Sequence, residues 1–342
     1  MNVVYASATN GPHDRRFLEA ISDLGCKVVH LQITQDASQG PGHFVAWGAT
    51  ALASIWKTLS ESFHPDLVHA GPIQEVAFPL MEVVDVPLIP MSWGSDLLLP
   101  QSSDHLWSYA AESVLTRSEV LFADCQAVDQ AARRIGFEGV TVSFPWGVDI
   151  QQFVPPPVTR VGNDATFISV RNWHPIYNVG IVIRAFSQMA EHYPGSKLLL
   201  AGSGPLSSQI HEEISNIRCG HVEVLGKLNV DELIVQLQSA DIYVSASLSD
   251  GSSISLLEAM ACGLAPIVSD IPGNREWVTE SDNGWLFPPT DIKHLADVMA
   301  QAAADLKESR CIGEKNIEIV RSRADWRRNN ALLLEGYRMV VS

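Results

Sequence analysis

Residues 249–263 combine a loop of small polar residues with one carboxylate on an otherwise apolar helical face. They read SDGSSISLLEAMACG and follow the apolar run 242–245, so glycine and serines stand where a strand ends and a helix begins. The free amides of such a first turn, with the positive end of the helix dipole, suit a phosphate. Glu258 is costly to bury among small and apolar neighbours unless something hydrogen-bonds it. Hydroxyl groups of a sugar or ribose would do so, and the alternative is a capped helix in which Glu258 pairs with an arginine.

The loop 9–16 places polar side chains after the first predicted strand. In a doubly wound sheet, loops after the carboxyl ends of strands line the ligand crevice, so His13 and Asp14 are candidates to contact a ligand. The alternative for Asp14 is that it caps the following helix. No Asp-x-Asp motif stands in a convincing strand-end loop and no His and Cys ligands cluster in the sequence, so we expect a reaction without a metal.

Short apolar runs alternate with helical patterns along the chain, which is typical of doubly wound α/β sheets. We predict two Rossmann-like domains, 1–154 and 155–324, because three prolines at 155–157 cannot continue a helix or a central strand. A C-terminal helix within 325–342 would pack back on the first domain. The predicted strands are 2–7, 27–32, 67–70, 88–91, 120–123 and 140–144 in the first domain, and 165–170, 197–201, 222–225, 242–245, 265–269 and 285–287 in the second.

The composition excludes several classes of partner. Lys and Arg number 23 against 39 Asp and Glu, a net charge of −16, whereas a nucleic-acid binder needs a basic surface. We expect no strong membrane association either, because the helical pattern in residues 44–63 contains only Lys57 as a basic residue. Without an apolar span or signal segment, and with five scattered cysteines that suit reduced, packed thiols, we expect a cytoplasmic location.

The order of the motifs resembles the retaining, nucleotide-sugar-dependent glycosyltransferases of the GT-B fold, in particular family four (glycosyl transferases group 1), most strongly over residues 161–299. The family's Glu-x7-Glu element reads Asp250-x7-Glu258 here, its Gly-x-Gly-Pro turn stands at 202–205, and its Pro-Asn-Gly-Val-Asp hinge is similar to residues 145–149. The resemblance implies two Rossmann-like domains facing a central cleft. The second domain would bind the donor and the first the acceptor.

The resemblance also implies roles for the residues of the donor site. Glu258 would hold the ribose hydroxyls, and Asp250 would face the transferred sugar. Arg171 would bind the diphosphate, but the lysine that family members carry five or six residues later is missing, so His174 would assist. The remaining donor-binding residues implied in this way are Gly202, Gly251, Ser252, Ser253, Ile254, Ser255 and Leu256.

The acceptor side departs from the family pattern. Many members place a histidine beside the reacting sugar after the strand at 88–91, where this chain reads SWGSD, so Trp93 or Asp96 would occupy that region. His13 and Asp14 would lie on the same side. His69 ends a segment similar to a common family strand and would line the cleft, with a histidine bonded to neighbouring backbone as the alternative.

We therefore predict a retaining glycosyltransferase that moves a sugar from a nucleotide-diphosphate sugar to a hydroxyl of a sugar or small-molecule acceptor, without a metal. Two alternatives stay open. A GT-B nucleotide-sugar epimerase would turn over the donor without a second substrate. A catalytically weak nucleotide-sugar-binding protein is favoured by the missing lysine and by Asp250 in place of glutamate.

Overall fold

The computed structural model describes residues 1–34, 43–46, 48–99, 105–158, 160 and 162–341, and the chain forms two compact units. The first unit comprises Met1–Pro145 and Arg327–Ser342, and the second comprises Trp146–Trp326. The prolines 155–157 therefore lie inside the second unit. The segments that enter and leave this unit run side by side, because the Val148 amide donates to the Ala324 carbonyl at 2.8 Å. None of the described helices is long and apolar enough to cross a membrane.

The strands of the first unit are parallel, and β1 is buried on both faces, as helices on each side of a sheet require. They are β1 (Asn2–Ser7), β2 (Lys27–Ile33), β3 (His43–Ala46), β4 (Leu67–Ala70), β5 (Leu88–Pro90), β6 (Val120–Ala123) and β7 (Val140–Ser143). Their order is β3-β2-β1-β4-β5, with β6 and β7 as a further parallel pair. A bridge between Met91 and Phe122 connects the end of β5 to β6. The strand order reverses direction between β1 and β4.

The second unit repeats this plan in one parallel sheet. Its strands are β8 (Thr166–Ser169), β9 (Lys197–Ala201), β10 (His221–Gly226), β11 (Ile242–Ser245), β12 (Ala265–Ser269) and β13 (Trp285–Phe287). They stand in the order β10-β9-β8-β11-β12-β13. The reversal here lies between β8 and β11.

The helices connect these strands and cover the sheets. They are α1 (Pro12–Asp23), α2 (Ala49–Ser62), α3 (Phe78–Met81), α4 (Ser95–Leu98), α5 (His105–Arg117), α6 (Gln126–Ile135), α7 (Val179–Ala190), α8 (Ser207–Ser215), α9 (Val230–Ser239), α10 (Ile254–Ala261), α11 (Pro272–Arg275), α12 (Ile292–Ala304), α13 (Leu306–Arg323), α14 (Trp326–Asn329) and α15 (Ala331–Val340). Ile73–Ala77 forms a π-helix and Pro175–Tyr177 a 3-10 helix.

Successive side chains of β11 in the second unit point to opposite faces of the sheet, and different helices cover the two faces. Ile242 and Val244 of β11 point into one apolar cluster together with α7 and α12, whereas Tyr243 points to the other face with α10. This is the two-residue period of a strand buried on both sides. It places α10, which begins with the serine-rich loop, next to the phenol of Tyr243.

The prediction of doubly wound α/β sheets is confirmed, and each predicted strand is present with small shifts at its ends. One expectation was wrong: residues 43–46 form β3, and α2 begins only at Ala49, so the helical pattern assigned to residues 44–63 is a strand followed by a helix. A segment as short as residues 43–46, three of which are apolar, is too short for its periodicity to distinguish a strand from a helix. The pairing with β2 decides for the strand.

His69 of β4 lies in the core of the first unit and is fully buried. Its Nδ1 lies 2.8 Å from the Tyr337 hydroxyl of α15, and its Nε2 lies 3.2 Å from Sδ of Met91. Burial lowers the pKa of His69 to about 3, since a charged imidazolium is poorly solvated there. In this position it joins β4 to the C-terminal helix and does not face solvent.

We expect this histidine to make stability fall in mild acid. The unfolded chain binds the proton near the ordinary pKa of 6.5 and the folded chain only near 3, so stability present at neutral pH is lost as the pH drops below about 6.5. The loss between about pH 7 and pH 5 should be about 2 kcal/mol in urea unfolding. His69→Gln should flatten this pH dependence, whereas the exposed His192→Gln should leave it unchanged. An unchanged slope in His69→Gln would contradict the assignment.

Candidate functional site

A buried arginine marks the point where the strand order of the second unit reverses. Arg171 follows β8, and the loop 246–253 follows β11, its neighbour in the sheet. In open α/β sheets, the loops at the carboxyl ends of two such strands line the ligand crevice. Arg171 is 9% exposed, so its cation is largely withdrawn from water.

Three side chains from the second loop and helix α10 contact this guanidinium. Its Nη1 donates to the hydroxyls of Ser253 and Ser255, both at 2.8 Å, and its Nη2 lies 2.6 Å from the carboxylate of Asp250. The ring of Tyr177 covers one face, with its centroid 4.1 Å from the guanidinium carbon. Burial by itself lowers the pKa of Arg171, but Asp250 and the nearby tyrosines outweigh it and raise the pKa, so the group stays charged.

The guanidinium keeps capacity for a further acceptor. These contacts use three of its five N–H donors, and Nε is buried with no hydrogen-bond partner among the described residues. A buried donor without an acceptor costs free energy. Arg171 is therefore suited to a phosphate, which its planar fork can hold at two points.

Helix α10 begins beside this cation. Ser253 is its N-cap residue, but the Ser253 side chain accepts from Arg171 and caps no backbone amide. The first turn of a helix has amides without partners inside the helix, here those of Ile254, Ser255 and Leu256. A buried cation and a helix N-terminus thus lie together, and both favour the same kind of ligand, an anion.

Two close contacts hold the loop that carries Asp250. The indole N–H of Trp277 donates to the Ser252 hydroxyl at 3.3 Å. Gly273 of α11 approaches the loop so closely that a Cβ there would lie 2.3 Å from the Gly251 carbonyl oxygen and 2.5 Å from that of Asp250. Glycine at position 273 is therefore required by this packing.

The glycine-rich turn at 202–205 supports Arg171 from the other side. Gly202 has φ +138°, and a Cβ there would lie 2.4 Å from the Arg171 carbonyl oxygen. The Trp173 amide donates to the Ser203 carbonyl at 3.0 Å. Gly202 thus packs against the backbone of Arg171, and its contribution to the site is to fix the path of that segment.

Two aromatic residues of the site, Tyr177 and Tyr243, were not predicted from the sequence. Tyr177 lies six residues after Arg171, where the family pattern has a lysine, and supplies a ring in place of a second cation. Tyr243 is fully buried in β11, and its hydroxyl lies 2.8 Å from that of Ser255. The only signal for Tyr243 was a polar-tipped residue inside an apolar strand, which does not reveal where its hydroxyl points.

Glu258 and His174 are both less buried than Arg171. Glu258 is half-buried on α10. The pKa of Cys262, just after the end of this helix, is raised to about 12, first because the thiol is buried and second because the negative charge of Glu258 is near. His174 is exposed at the start of the 3-10 helix, not buried with Arg171. Within the described ranges, no three His, Cys, Asp or Glu side chains come together as metal ligands would.

In the first unit, His13 in the first turn of α1 contacts Trp93 in the loop after β5. Their ring centroids are 5.9 Å apart in an edge-to-face arrangement. His13 is exposed and Trp93 half-buried. The indole nitrogen of Trp93 is buried and has no hydrogen-bond partner among the described residues. These two rings are the sequence-predicted acceptor-side residues that lie nearest to solvent.

Asp14 and Asp96 are buried and hold the same loops in place. Asp14 accepts from the Thr9 hydroxyl at 2.6 Å and from the Gly11 amide at 2.8 Å, so it secures the start of α1 from inside its first turn. Asp96 accepts from the Ser92 hydroxyl at 2.7 Å and from the Trp93 amide at 3.0 Å. Burial raises the pKa of Asp96, and the hydrogen bonds oppose that change. Both carboxylates position backbone and are withdrawn from solvent.

Most of the second unit is similar in sequence to a known family. Residues 151–318 match the family model described as glycosyl transferases group 1. Over 190 residues the chain is 30% identical to the phosphatidyl-myo-inositol mannosyltransferase of Mycolicibacterium smegmatis, an alignment that covers 53% of this chain and 47% of the relative. The chain spans between 47% and 64% of the length of the first curated relatives it matches.

Two solved structures are similar over nearly the whole chain. Sucrose-phosphate synthase from Thermosynechococcus elongatus has a TM-score of 0.84 at 18% identity, with 99% of this chain and 98% of that chain covered. Anabaena HepE in complex with UDP-glucose has a TM-score of 0.82 at 18% identity, with coverage of 99% and 100%. At such identities the likeness concerns the fold.

We expect Gly273→Ala to disturb the loop that carries Asp250. The added methyl group would meet backbone oxygens, which cannot move away as a flexible side chain can, so overpacking should cost about 1 to 3 kcal/mol. Urea unfolding measures this loss. Gly11→Ala is the control, because a Cβ at Gly11 has its nearest neighbours at 3.7 Å. Equal stability of the two variants would show that the contact at Gly273 is not as tight as described.

Proposed function

Since the chain belongs, through residues 151–318, to the glycosyl transferases group 1, we propose that it is a retaining glycosyltransferase that moves a sugar from a nucleotide-diphosphate sugar to an acceptor hydroxyl. The chain has the GT-B fold. The observation that carries the proposal is the buried Arg171, whose unpartnered Nε lies beside the N-terminus of α10 where the strand order reverses.

In this proposal the donor diphosphate binds to Arg171 and to the first-turn amides of α10. The diphosphate gains negative charge as the sugar leaves it, and preorganised donors in a site with little water stabilise that charge most effectively. A permanent cation and the positive end of a helix provide such stabilisation without a metal ion. A metal-independent reaction is therefore part of the proposal.

The two acidic residues of the Asp250-x7-Glu258 element would contact the donor at different points. Asp250 is anchored beside Arg171 and would face the transferred sugar. Glu258 lies about one turn into α10 and would accept hydrogen bonds from the ribose hydroxyls. With departure of the diphosphate and attack on the same face of the sugar, the leaving phosphate can take the acceptor proton. No separate protein nucleophile is then required.

The acceptor would bind to the first unit. Its strand order reverses between β1 and β4, so the start of α1, which carries His13, lies at the position where such sheets bind ligands. His13 and Trp93 offer aromatic surface, and the unpaired indole N–H of Trp93 can donate to a hydroxyl. We propose a sugar or small-molecule acceptor for this surface. We propose a cytoplasmic location as well.

A thermal-shift screen against UDP-, GDP-, ADP- and dTDP-sugars is the first experiment. HepE was crystallised with UDP-glucose, so UDP-sugars are tested first. A ligand at about 100 times its dissociation constant stabilises the folded state by roughly 2.7 kcal/mol. Transfer to added sugars, with the anomeric configuration of the product read by NMR, then tests retention. Turnover of donor alone to an isomeric sugar would favour an epimerase, and binding without turnover a binding protein.

We expect Arg171→Ala to lower transfer by on the order of a hundred- to thousandfold, the usual effect of losing one preorganised donor to a developing anion. Arg171→Lys should recover only part, because an ammonium cannot make the two-point contact. Steady-state kinetics at saturating donor measure this. Arg184→Ala is the control, since that arginine forms a partly exposed pair with Glu213. Near-normal transfer by Arg171→Ala would mean that the diphosphate binds elsewhere.

We expect Glu258→Gln to weaken donor binding at least tenfold. The substitution keeps the size but removes the charge that would accept the ribose hydroxyls, and a lost hydrogen bond to a charged group costs about 1.5 to 3 kcal/mol. Isothermal titration with the donor identified in the screen measures the dissociation constant. The control is Glu223→Gln, a residue of the edge strand β10 that pairs with Lys197. Wild-type affinity in Glu258→Gln would remove Glu258 from the site.

A further inference from the structure

The Arg171 guanidinium is already paired with an internal anion. Its Nη2 lies 2.6 Å from Oδ2 of Asp250, and the two side chains are only 9% and 20% exposed. Tyr177 covers one face of the guanidinium, and two serine hydroxyls occupy Nη1. Asp250 thus holds a position next to the donors, Nε and Nη2, that a phosphate would use.

A phosphate at Arg171 would bring a second anion next to this carboxylate. Two like charges at such a distance repel strongly where water is scarce. Asp250 must then give up its contact with Arg171 or share it. A partly buried carboxylate that loses its cation without gaining another partner is strongly destabilised. Binding of an anion is therefore opposed unless the ligand also supplies donors for Asp250.

An intact nucleotide sugar supplies such donors on the transferred sugar, whereas a free nucleoside diphosphate carries only its ribose hydroxyls, which the proposed function assigns to Glu258. The hydroxyls of the transferred sugar can donate to Asp250 while the diphosphate takes over Arg171. A nucleoside diphosphate brings the same phosphates but leaves Asp250 opposite them without a hydroxyl partner. Arg171 and Asp250 therefore favour the nucleotide sugar over the nucleoside diphosphate, although both ligands carry the same diphosphate.

We propose that Asp250 is a specificity-determining residue, which makes the site bind the intact nucleotide sugar more tightly than the free nucleoside diphosphate. When the nucleotide sugar binds, Asp250 gives up its contact with Arg171 and accepts hydrogen bonds from the sugar hydroxyls instead. The inference rests on the proposed function and adds to it a discrimination between substrate and product. Residues 172–178 contain no lysine or second arginine, so the carboxylate and the phosphate compete for the same guanidinium. After transfer, Asp250 pairs with Arg171 again, and this pairing weakens the binding of the nucleoside diphosphate product.

The test compares dissociation constants of matched ligands by isothermal titration without acceptor. The pairs are UDP-glucose with UDP, GDP-mannose with GDP, ADP-glucose with ADP and dTDP-glucose with dTDP. In the pair that binds, the wild type should prefer the nucleotide sugar. Asp250→Asn keeps the shape and removes the charge, so it should bind the nucleoside diphosphate at least tenfold more tightly and lose most of that preference. Asp250→Ala should do the same while transfer falls.

Asp282→Asn is the matched control, because Asp282 forms an exposed pair with Lys315 in the same unit. Its ligand preference should equal that of the wild type. Asp250 variants that bind the nucleoside diphosphate no more tightly than wild type, with the nucleotide sugar still bound, would overturn this inference and leave the proposed function standing. Failure of the wild type to bind any member of the pairs would overturn both.

Discussion

A buried cation is stable only beside negative or polar partners. In the second unit this constraint applies to Arg171, and the loop after β11 and the start of α10 supply its partners. Removing a guanidinium from water is costly, and the cost is offset only where acceptors lie at hydrogen-bonding distance. Asp250, Ser253 and Ser255 supply these acceptors, and Tyr177 supplies the face of a ring. All of them stand after strand ends or at a helix start, so the sheet has to bring two loops together.

The parallel sheet meets this demand through its strand order. Since β8 and β11 are neighbours while their connections leave in opposite directions, the loops after them lie side by side with no helix between them. Gly202 and Gly273 then let backbone segments approach within distances that any side chain would prevent. The first unit has the same reversal between β1 and β4, and there Asp14 fixes the loop from inside.

Much of this could be predicted from local sequence. The alternation of apolar runs predicted the sheets, and the serine-rich start of α10 predicted an anion site, because these patterns involve residues close in the chain. The pairing of Arg171 with Asp250 joins residues 79 positions apart and depends on strand order, which one sequence does not reveal. The same limit applies to His69, whose partner Tyr337 lies 268 positions away. Arg171, Asp250 and His69 were thus named as candidates from the sequence, but their partners were not.

In the proposed function, Arg171 receives the diphosphate of the donor. A crystal structure of the protein with an intact nucleotide sugar would show this contact. We expect phosphate oxygens within hydrogen-bonding distance of Nε or Nη2 of Arg171 and of the first amides of α10, with a sugar hydroxyl at Asp250. A diphosphate bound elsewhere, with the contact between Arg171 and Asp250 unchanged, would contradict it.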